Sequence, residues 1–109
     1  MTVSYKVLGQ SSPSATTNTN LYTVGSGKQA IVSTLSIANR NTSAGTYRIA
    51  VRPDGATLSN EHYLAYDAAI AANDTTLITT ALALDAGDIL TVYASSASMS
   101  FGAYGSEIS

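Results

Sequence analysis

The sequence predicts an all-β protein, an antiparallel sandwich or barrel of about eight short strands in one domain, residues 1–109. Three observations support this prediction. Runs of β-branched and aromatic residues recur at short spacing, clusters of Gly, Asn, Asp, Ser and Pro separate them, and no stretch sustains a helical period. A chain of this length buries a core but has no room for a separate catalytic module.

The first fifth of the chain predicts a short strand, Val3–Leu8, followed by a polar run, Gln10–Asn20, without large apolar residues. That run is either an extended arm or a loop that crosses the sandwich, so residues 1–20 are a possible N-terminal strand and arm. Strand character resumes at Leu21–Val24. Gly25-Ser26-Gly27 then predicts a tight turn, because Gly tolerates the positive φ that such turns need.

The central stretch consists of two β-prone runs, Ala30–Ala38 and Thr46–Arg52, on either side of a connector rich in Asn, Ser, Thr and Gly. This arrangement predicts a long β-hairpin. Alternation in the second run predicts one buried and one outward face. The buried face comprises Tyr47, Ile49 and Val51, and the outward face comprises Arg48, Ala50 and Arg52.

Four more strands and three turns are predicted in the second half. The strands are Glu61–Tyr66, Thr75–Leu84, Ile89–Ala94 and Ser98–Tyr104. The turns are Pro53–Gly55, Asn73–Asp74 and Asp85–Asp88. Residues 67–72 are Ala-rich but too few to hold a helix unaided, so they are expected to be extended or irregular.

Composition points to a protein that associates with other proteins. Charged residues are 11% of the chain and the net charge is −2, whereas Ser and Thr supply 29 positions. Leu, Ile, Val and Phe total only 23 residues, which is few for a self-sufficient core. We therefore expect part of the folded surface to be buried against copies of the chain or a larger assembly.

Other features narrow the class of partner. The five Lys and Arg residues are scattered, which argues against nucleic-acid binding, because phosphate contacts need a basic patch.

The start of the chain does not resemble a signal peptide and no run is long enough to span a membrane, so we expect a soluble protein made in a cytosol. Cysteine is absent, which excludes disulfides and thiolate zinc sites.

Residues that suggest chemistry have simpler structural interpretations. His62, with Glu61 and Asp67 nearby, suggests a metal or acid–base site, but a lone His on a strand is more often a packing or surface residue. The aspartates of the two later turns suggest calcium, yet Asp is also an ordinary turn former. No Gly-x-Ser-x-Gly motif occurs. We predict no catalytic residue, cofactor or metal, and no enzymatic activity.

Arg48 and Arg52 are the best candidates for contact with a partner. They share the outward face of one strand, roughly 13 Å apart along it, and a pair of arginines can dock an acidic patch. The alternative is protection of a sheet edge by two solvated charges. The seven tyrosines are expected mainly in the core and at interfaces, with sugar binding as the alternative.

The sequence resembles a family of small virion structural proteins of tailed bacteriophages, particularly phages of cyanobacteria and other aquatic bacteria. The stretches that carry the resemblance are YKVLGQSSPSATTNTNLYTV, TYRIAVRPDGATLSNEHYLAYD, LDAGDILTVYA and SFGAYGSEI. Together they cover nearly the whole chain, although none is a chemical motif.

The resemblance implies a jelly-roll-like β-sandwich on the outside of the virion, assembled in the host cytoplasm. It further implies a capsid decoration or cement protein, usually a homotrimer, whose partner is the major capsid protein or another virion protein. The alternative is a tail, baseplate or fibre component, including a module that binds a receptor glycan. Either role agrees with a composition suited to burying surface.

Overall fold

The computed structural model describes residues 1–109 as an all-β sandwich of two antiparallel four-stranded sheets. The strands are β1 (Val3–Ser11), β2 (Thr19–Thr23), β3 (Gln29–Asn39), β4 (Gly45–Arg52), β5 (Tyr63–Ile70), β6 (Thr75–Leu84), β7 (Ile89–Ala94) and β8 (Met99–Ile108). Two single 3-10 turns, Pro53–Gly55 and Asn60–His62, lie between β4 and β5. Neither turn has the length or apolar character of a membrane-crossing helix. The predicted fold class is confirmed.

The strand order is that of a jelly roll. One sheet, sheet A, has the order β1-β8-β3-β6, and the other, sheet B, has the order β2-β7-β4-β5. Strands pair as β1 with β8, β2 with β7, β3 with β6 and β4 with β5. The first four strands therefore pair antiparallel with the last four, like one long hairpin rolled up so that successive pairs alternate between sheets.

The predicted hairpin between Ala30–Ala38 and Thr46–Arg52 is wrong. β3 hydrogen-bonds β6 and β8 in sheet A, whereas β4 hydrogen-bonds β5 and β7 in sheet B. The connector crosses from one sheet to the other, because both strands carry an apolar face that the sandwich places on opposite sides of one core. The hairpin of the fold is β4–β5.

Asn39 organises the crossover between β3 and β4. Its side chain is 2% exposed, and its Nδ2 donates to the carbonyls of Ser43 and Ala71 at 3.0 and 3.1 Å. Its Oδ1 accepts from the Asn41 N–H at 3.1 Å. Every polar atom of this buried amide therefore has a partner, which removes most of the cost of burying it.

The polar run near the N-terminus is a crossing loop, one of the two predicted alternatives, and not an arm. β1 extends beyond the predicted end to Ser11 and pairs with β8. Residues 12–18 then cross to sheet B, where the Thr16 N–H donates to the Ala94 carbonyl at 2.8 Å. Removal of the first 20 residues would therefore take the whole of β1 from sheet A and the first two residues of β2 from sheet B.

The strand predicted at Glu61–Tyr66 starts later than expected. Glu61 and His62 belong to the second 3-10 turn, and β5 begins at Tyr63 and continues through Asp67 to Ile70. The expectation that residues 67–72 are extended or irregular is confirmed. The turns at Pro53–Gly55, Asn73–Asp74 and Asp85–Asp88 also occur where the turn residues predict them.

The core between the sheets is a single cluster of 17 buried residues. On β4, Tyr47 and Ile49 belong to it and Val51 packs against it, as the alternation predicts. Ala50, which is predicted on the outward face, is only 1% exposed. On β8, Met99, Phe101 and Ala103 contribute in the same way. Tyr47 and Phe101 meet edge to face across the core, with ring centroids 6.5 Å apart.

Candidate functional site

A bulge in β5 builds a rigid cluster on the outer face of sheet B. Tyr47 pairs with Ala68 and Ile49 with Ala65, so Arg48 alone lies opposite both Tyr66 and Asp67. Asp67 has a positive φ of 50°, a conformation that Asp adopts more readily than most residues. The extra residue brings the carboxylate of Asp67 to the guanidinium of Arg48.

Arg48 is held on three sides. Its Nε and Nη2 donate to Oδ1 and Oδ2 of Asp67 at 2.7 and 3.3 Å. Its guanidinium carbon lies 4.2 Å from the ring centroids of both Tyr66 and Tyr93. Tyr63 packs edge to face against Tyr66, with centroids 4.9 Å apart. We call Arg48, Tyr63, Tyr66, Asp67 and Tyr93 the Arg48 patch.

Electrostatics reinforce this geometry. The hydrogen bonds from Arg48 hold the pKa of Asp67 below its usual range, and those same bonds raise the pKa of Arg48. The pair is therefore ionised at neutral pH. The side chains of Arg48 and Asp67 are 22% and 47% exposed and Tyr66 is 55% exposed, so the patch presents an ion pair and aromatic surface to solvent.

Arg52, the second predicted contact residue, is committed to bonds within the chain. Its Nε donates to Thr91 Oγ1 at 3.1 Å, its Nη2 to Asn20 Oδ1 at 2.9 Å and its Nη1 to the Ala56 carbonyl at 3.2 Å. It thereby ties β4 to β7, to β2 and to the segment after β4. A contact with a partner at either arginine stays a prediction.

The three side chains of the suspected site, His62, Glu61 and Asp67, do not come together at one point. His62 Nδ1 accepts the Ser59 N–H at 3.1 Å, and its Nε2 lies 3.9 Å from Glu61 Oε2. Asp67 instead pairs with Arg48. The Ser59 hydroxyl, which hydrogen-bonds Glu61, lowers the pKa of that carboxyl. His62 therefore caps a short turn.

Aspartate side chains in the turns accept hydrogen bonds from backbone N–H groups. Asp88 accepts the Asp54 N–H on Oδ1 and the Asp85 N–H on Oδ2, both at 2.8 Å. It thereby joins the turn after β4 to the turn before β7. Asp74 Oδ1 accepts the Thr75 N–H at 2.8 Å. No three His, Cys, Asp or Glu side chains lie close enough to hold a metal ion.

The outer face of sheet A is very different from the outer face of sheet B. The register of its strands and the burial of their residues show which side chains point outward from sheet A, and none of these side chains is charged. We call it the neutral face. Five of its large apolar side chains are exposed: Val3, Tyr5, Val7, Ile31 and Leu77. Its polar positions are Gln10, Gln29, Thr34, Ser36, Thr75, Thr79, Ser100, Tyr104 and Ser106.

The sequence singled out one member of the Arg48 patch, Arg48 itself, as a candidate contact residue, and the other four were not predicted. Tyr93 lies directly across from Arg48 in the β4–β7 pair, but the sequence predicted a different partner strand for this segment. Tyr66 and Asp67 reach Arg48 only through the bulge. The tendency of Asp to adopt positive φ was the one local signal available.

Comparison with protein-family models, curated proteins and solved structures found no match in any of the three.

Proposed function

We propose that this protein is a structural component of a tailed-phage virion and decorates the capsid as a homotrimer that clamps neighbouring capsid subunits. The observation that carries the proposal is the Arg48 patch. It presents Arg and Tyr, the residue types that contribute most to protein interfaces, already fixed in one geometry. The jelly-roll order agrees with the proposal, since this fold recurs in viral capsid domains, and so does the sequence resemblance.

The proposed mechanism is docking by a preorganised surface. An arginine that is free in solution loses side-chain entropy when a partner orders it. Arg48 is already ordered by Asp67 and two rings, so docking would cost less. A surface that binds the assembled shell better than free subunits stabilises the shell by mass action.

Two exposed tyrosines on opposite sheets supply a matched test. We would add purified variants to capsids from the phage that encodes the chain, prepared without this protein, and measure co-sedimentation. Tyr66→Ala should weaken binding at least tenfold. Tyr5→Ala, the same change on the neutral face at an 86% exposed side chain, should leave binding within twofold. Equal effects of the two changes would contradict docking through the Arg48 patch.

The neutral face favours a second candidate, a tail, baseplate or fibre component that contacts a host glycan, because exposed Tyr5 lies there among uncharged polar residues. Reconstruction of the particle separates the two functions. Density for this chain on the head supports decoration. Density confined to the tail would overturn decoration and support the second candidate.

A further inference from the structure

The neutral face contains a groove of about 520 Å³ where β1, β8 and β3 meet. A cavity of this volume is within the range typical of ligand sites. Six uncharged polar side chains form most of its lining: Gln10, Ser11, Ser12, Ser36, Ser100 and Tyr104. The groove therefore offers many hydrogen-bonding groups.

Tyr104 forms an aromatic wall of the groove, and Gly102 makes its position possible. A Cβ at Gly102 would lie 2.7 Å from the Tyr104 ring and closer still to its hydroxyl. The ring therefore lies along β8 above Gly102 and does not project away from the sheet. The Tyr104 hydroxyl lies 3.1 Å from Ser36 Oγ. This hydrogen bond fixes the ring in place.

Arg40 at one end of the groove orients two of its hydroxyls. Its Nε donates to Ser100 Oγ at 2.9 Å and its Nη2 donates to Ser12 Oγ at 2.8 Å. Each serine oxygen thus accepts a charged hydrogen bond, which leaves its own O–H as a donor. These two hydroxyls can consequently donate to oxygen atoms of a ligand.

A second aromatic ring stands beside the groove. Tyr5 on β1 is 86% exposed, and it lies two residues from Val7, which pairs with Tyr104. Diagonal neighbours of this kind have Cα atoms about 7–8 Å apart. The Tyr104 ring extends towards Gly102, whereas Tyr5 pairs with Ser106, so the two rings are farther apart than the Cα atoms. A chain of several sugar rings is therefore needed to contact both.

We propose that this groove binds a neutral saccharide, with Tyr104 and Tyr5 packing against its C–H faces and the serine and glutamine side chains bonding its hydroxyls. Saccharides combine apolar C–H faces with hydroxyls that donate and accept, which matches this lining. Arg40 is the one charged group at the groove, and its Nε and Nη2 already donate to Ser100 and Ser12; an ionised ligand would lose its hydration along the rest of a lining that carries no charge. A flat second copy of the same face would leave the groove unfilled and its hydroxyls unpaired.

The proposal is independent of capsid decoration, because the groove is on sheet A and the Arg48 patch is on sheet B. It deepens the second candidate function, whose glycan contact it assigns to the groove. The test uses the purified full chain. An array of neutral and acidic glycans identifies a ligand, and NMR titration with the best neutral oligosaccharide then locates its site. We expect shifts at the amides of Gln10, Ser36, Ser100 and Tyr104.

Variants complete the test, each checked for folding by its NMR spectrum. Tyr104→Ala and Tyr5→Ala should each weaken binding at least tenfold, and Gly102→Ala should do so by displacing the Tyr104 ring. Tyr66→Ala, on the opposite sheet, should change affinity less than twofold. Tyr104→Phe keeps the ring and should have an intermediate effect.

Four results would overturn the proposal: no binding of any neutral glycan, binding of acidic glycans alone, shifts centred on the Arg48 patch, or a dimer in light scattering that Leu77→Arg dissociates. The last result would mean that a second copy covers the neutral face. Docking through the Arg48 patch is measured separately on capsids, so its failure is distinguishable from the failure of this proposal.

Discussion

Arg48 and Asp67 meet through two hydrogen bonds of 2.7 and 3.3 Å because a bulge in β5 places two residues opposite one. The pair lies on an otherwise sparsely charged surface, between two tyrosine rings. The Arg48 side chain therefore loses its conformational entropy when the chain folds, and little more is lost when a partner binds.

The first prediction concerns the titration of Asp67. Because Arg48 hydrogen-bonds the carboxylate, its pKa lies below the usual range, and carbon-13 NMR of the carboxyl should show a midpoint under about 3.9. Arg48→Met should raise that midpoint. Arg52→Met, which removes the other arginine of the same face, should leave it unchanged. A midpoint that is the same with and without Arg48 would refute the pairing in solution.

The second prediction concerns the buried amide of Asn39. Asn39→Ala leaves the Ser43 and Ala71 carbonyls without their donor, so the free energy of unfolding should fall by about 1–3 kcal/mol. Asn39→Asp should cost more, because it sets a carboxylate oxygen against those carbonyls. Asn41→Ala, at a partly exposed site, should cost about 0.5 kcal/mol or less. Urea unfolding followed by tyrosine fluorescence measures all three free energies of unfolding. An Asn39→Asp variant as stable as the parent would contradict this account.

The third prediction compares two glycines with positive φ. Gly27 has a φ of +74° and open space around it, whereas a Cβ at Gly87, with a φ of +88°, would lie 2.7 Å from Asp54 Oδ1. Gly27→Ala should lower the free energy of unfolding by about 1–2 kcal/mol from backbone strain alone. Gly87→Ala should cost about 0.5 kcal/mol more, because the Asp54 side chain must turn away from the new Cβ into a less favoured rotamer. Equal losses would show that the contact between the turns contributes nothing.

The fourth prediction is a pH dependence at Glu107. Lys6 Nζ lies 2.7 Å from Oε1, and the Tyr22 hydroxyl donates to Oε2 at 2.6 Å. These bonds, with that from Lys6 the stronger influence, lower the pKa of Glu107 to about 2. The folded state therefore binds this proton less readily than the unfolded chain. The resulting stability is complete above about pH 5 and is lost as the pH falls towards 2.

Glu107→Gln tests this dependence. The variant should be less stable than the parent by about 1–2 kcal/mol at pH 7, and the difference should shrink between pH 5 and pH 2. Some pH dependence should persist, since the pKa values of Glu61 and Asp67 are also lowered. A difference that stays constant over this interval would exclude Glu107 as a titrating contributor.

Local pattern was enough to predict most strands and their faces. Tyr47, Ile49 and Val51 point into the core and Arg48 points out, because alternation along a strand depends only on the backbone of that strand. Turn positions followed in the same way from Gly, Asn, Asp and Pro, whose backbone preferences are local. The short turn at His62 was missed, since a single 3-10 turn has no period to detect.

The sequence by itself determined the all-β class, the approximate strands, the neutrality of the surface and the outward direction of Arg48. Only the tertiary structure decided that β3 and β4 lie in different sheets, and that Tyr66, Asp67 and Tyr93 converge on one arginine. The physical reason is that a strand chooses its neighbours by the packing of the whole sandwich, to which residues far apart in sequence contribute.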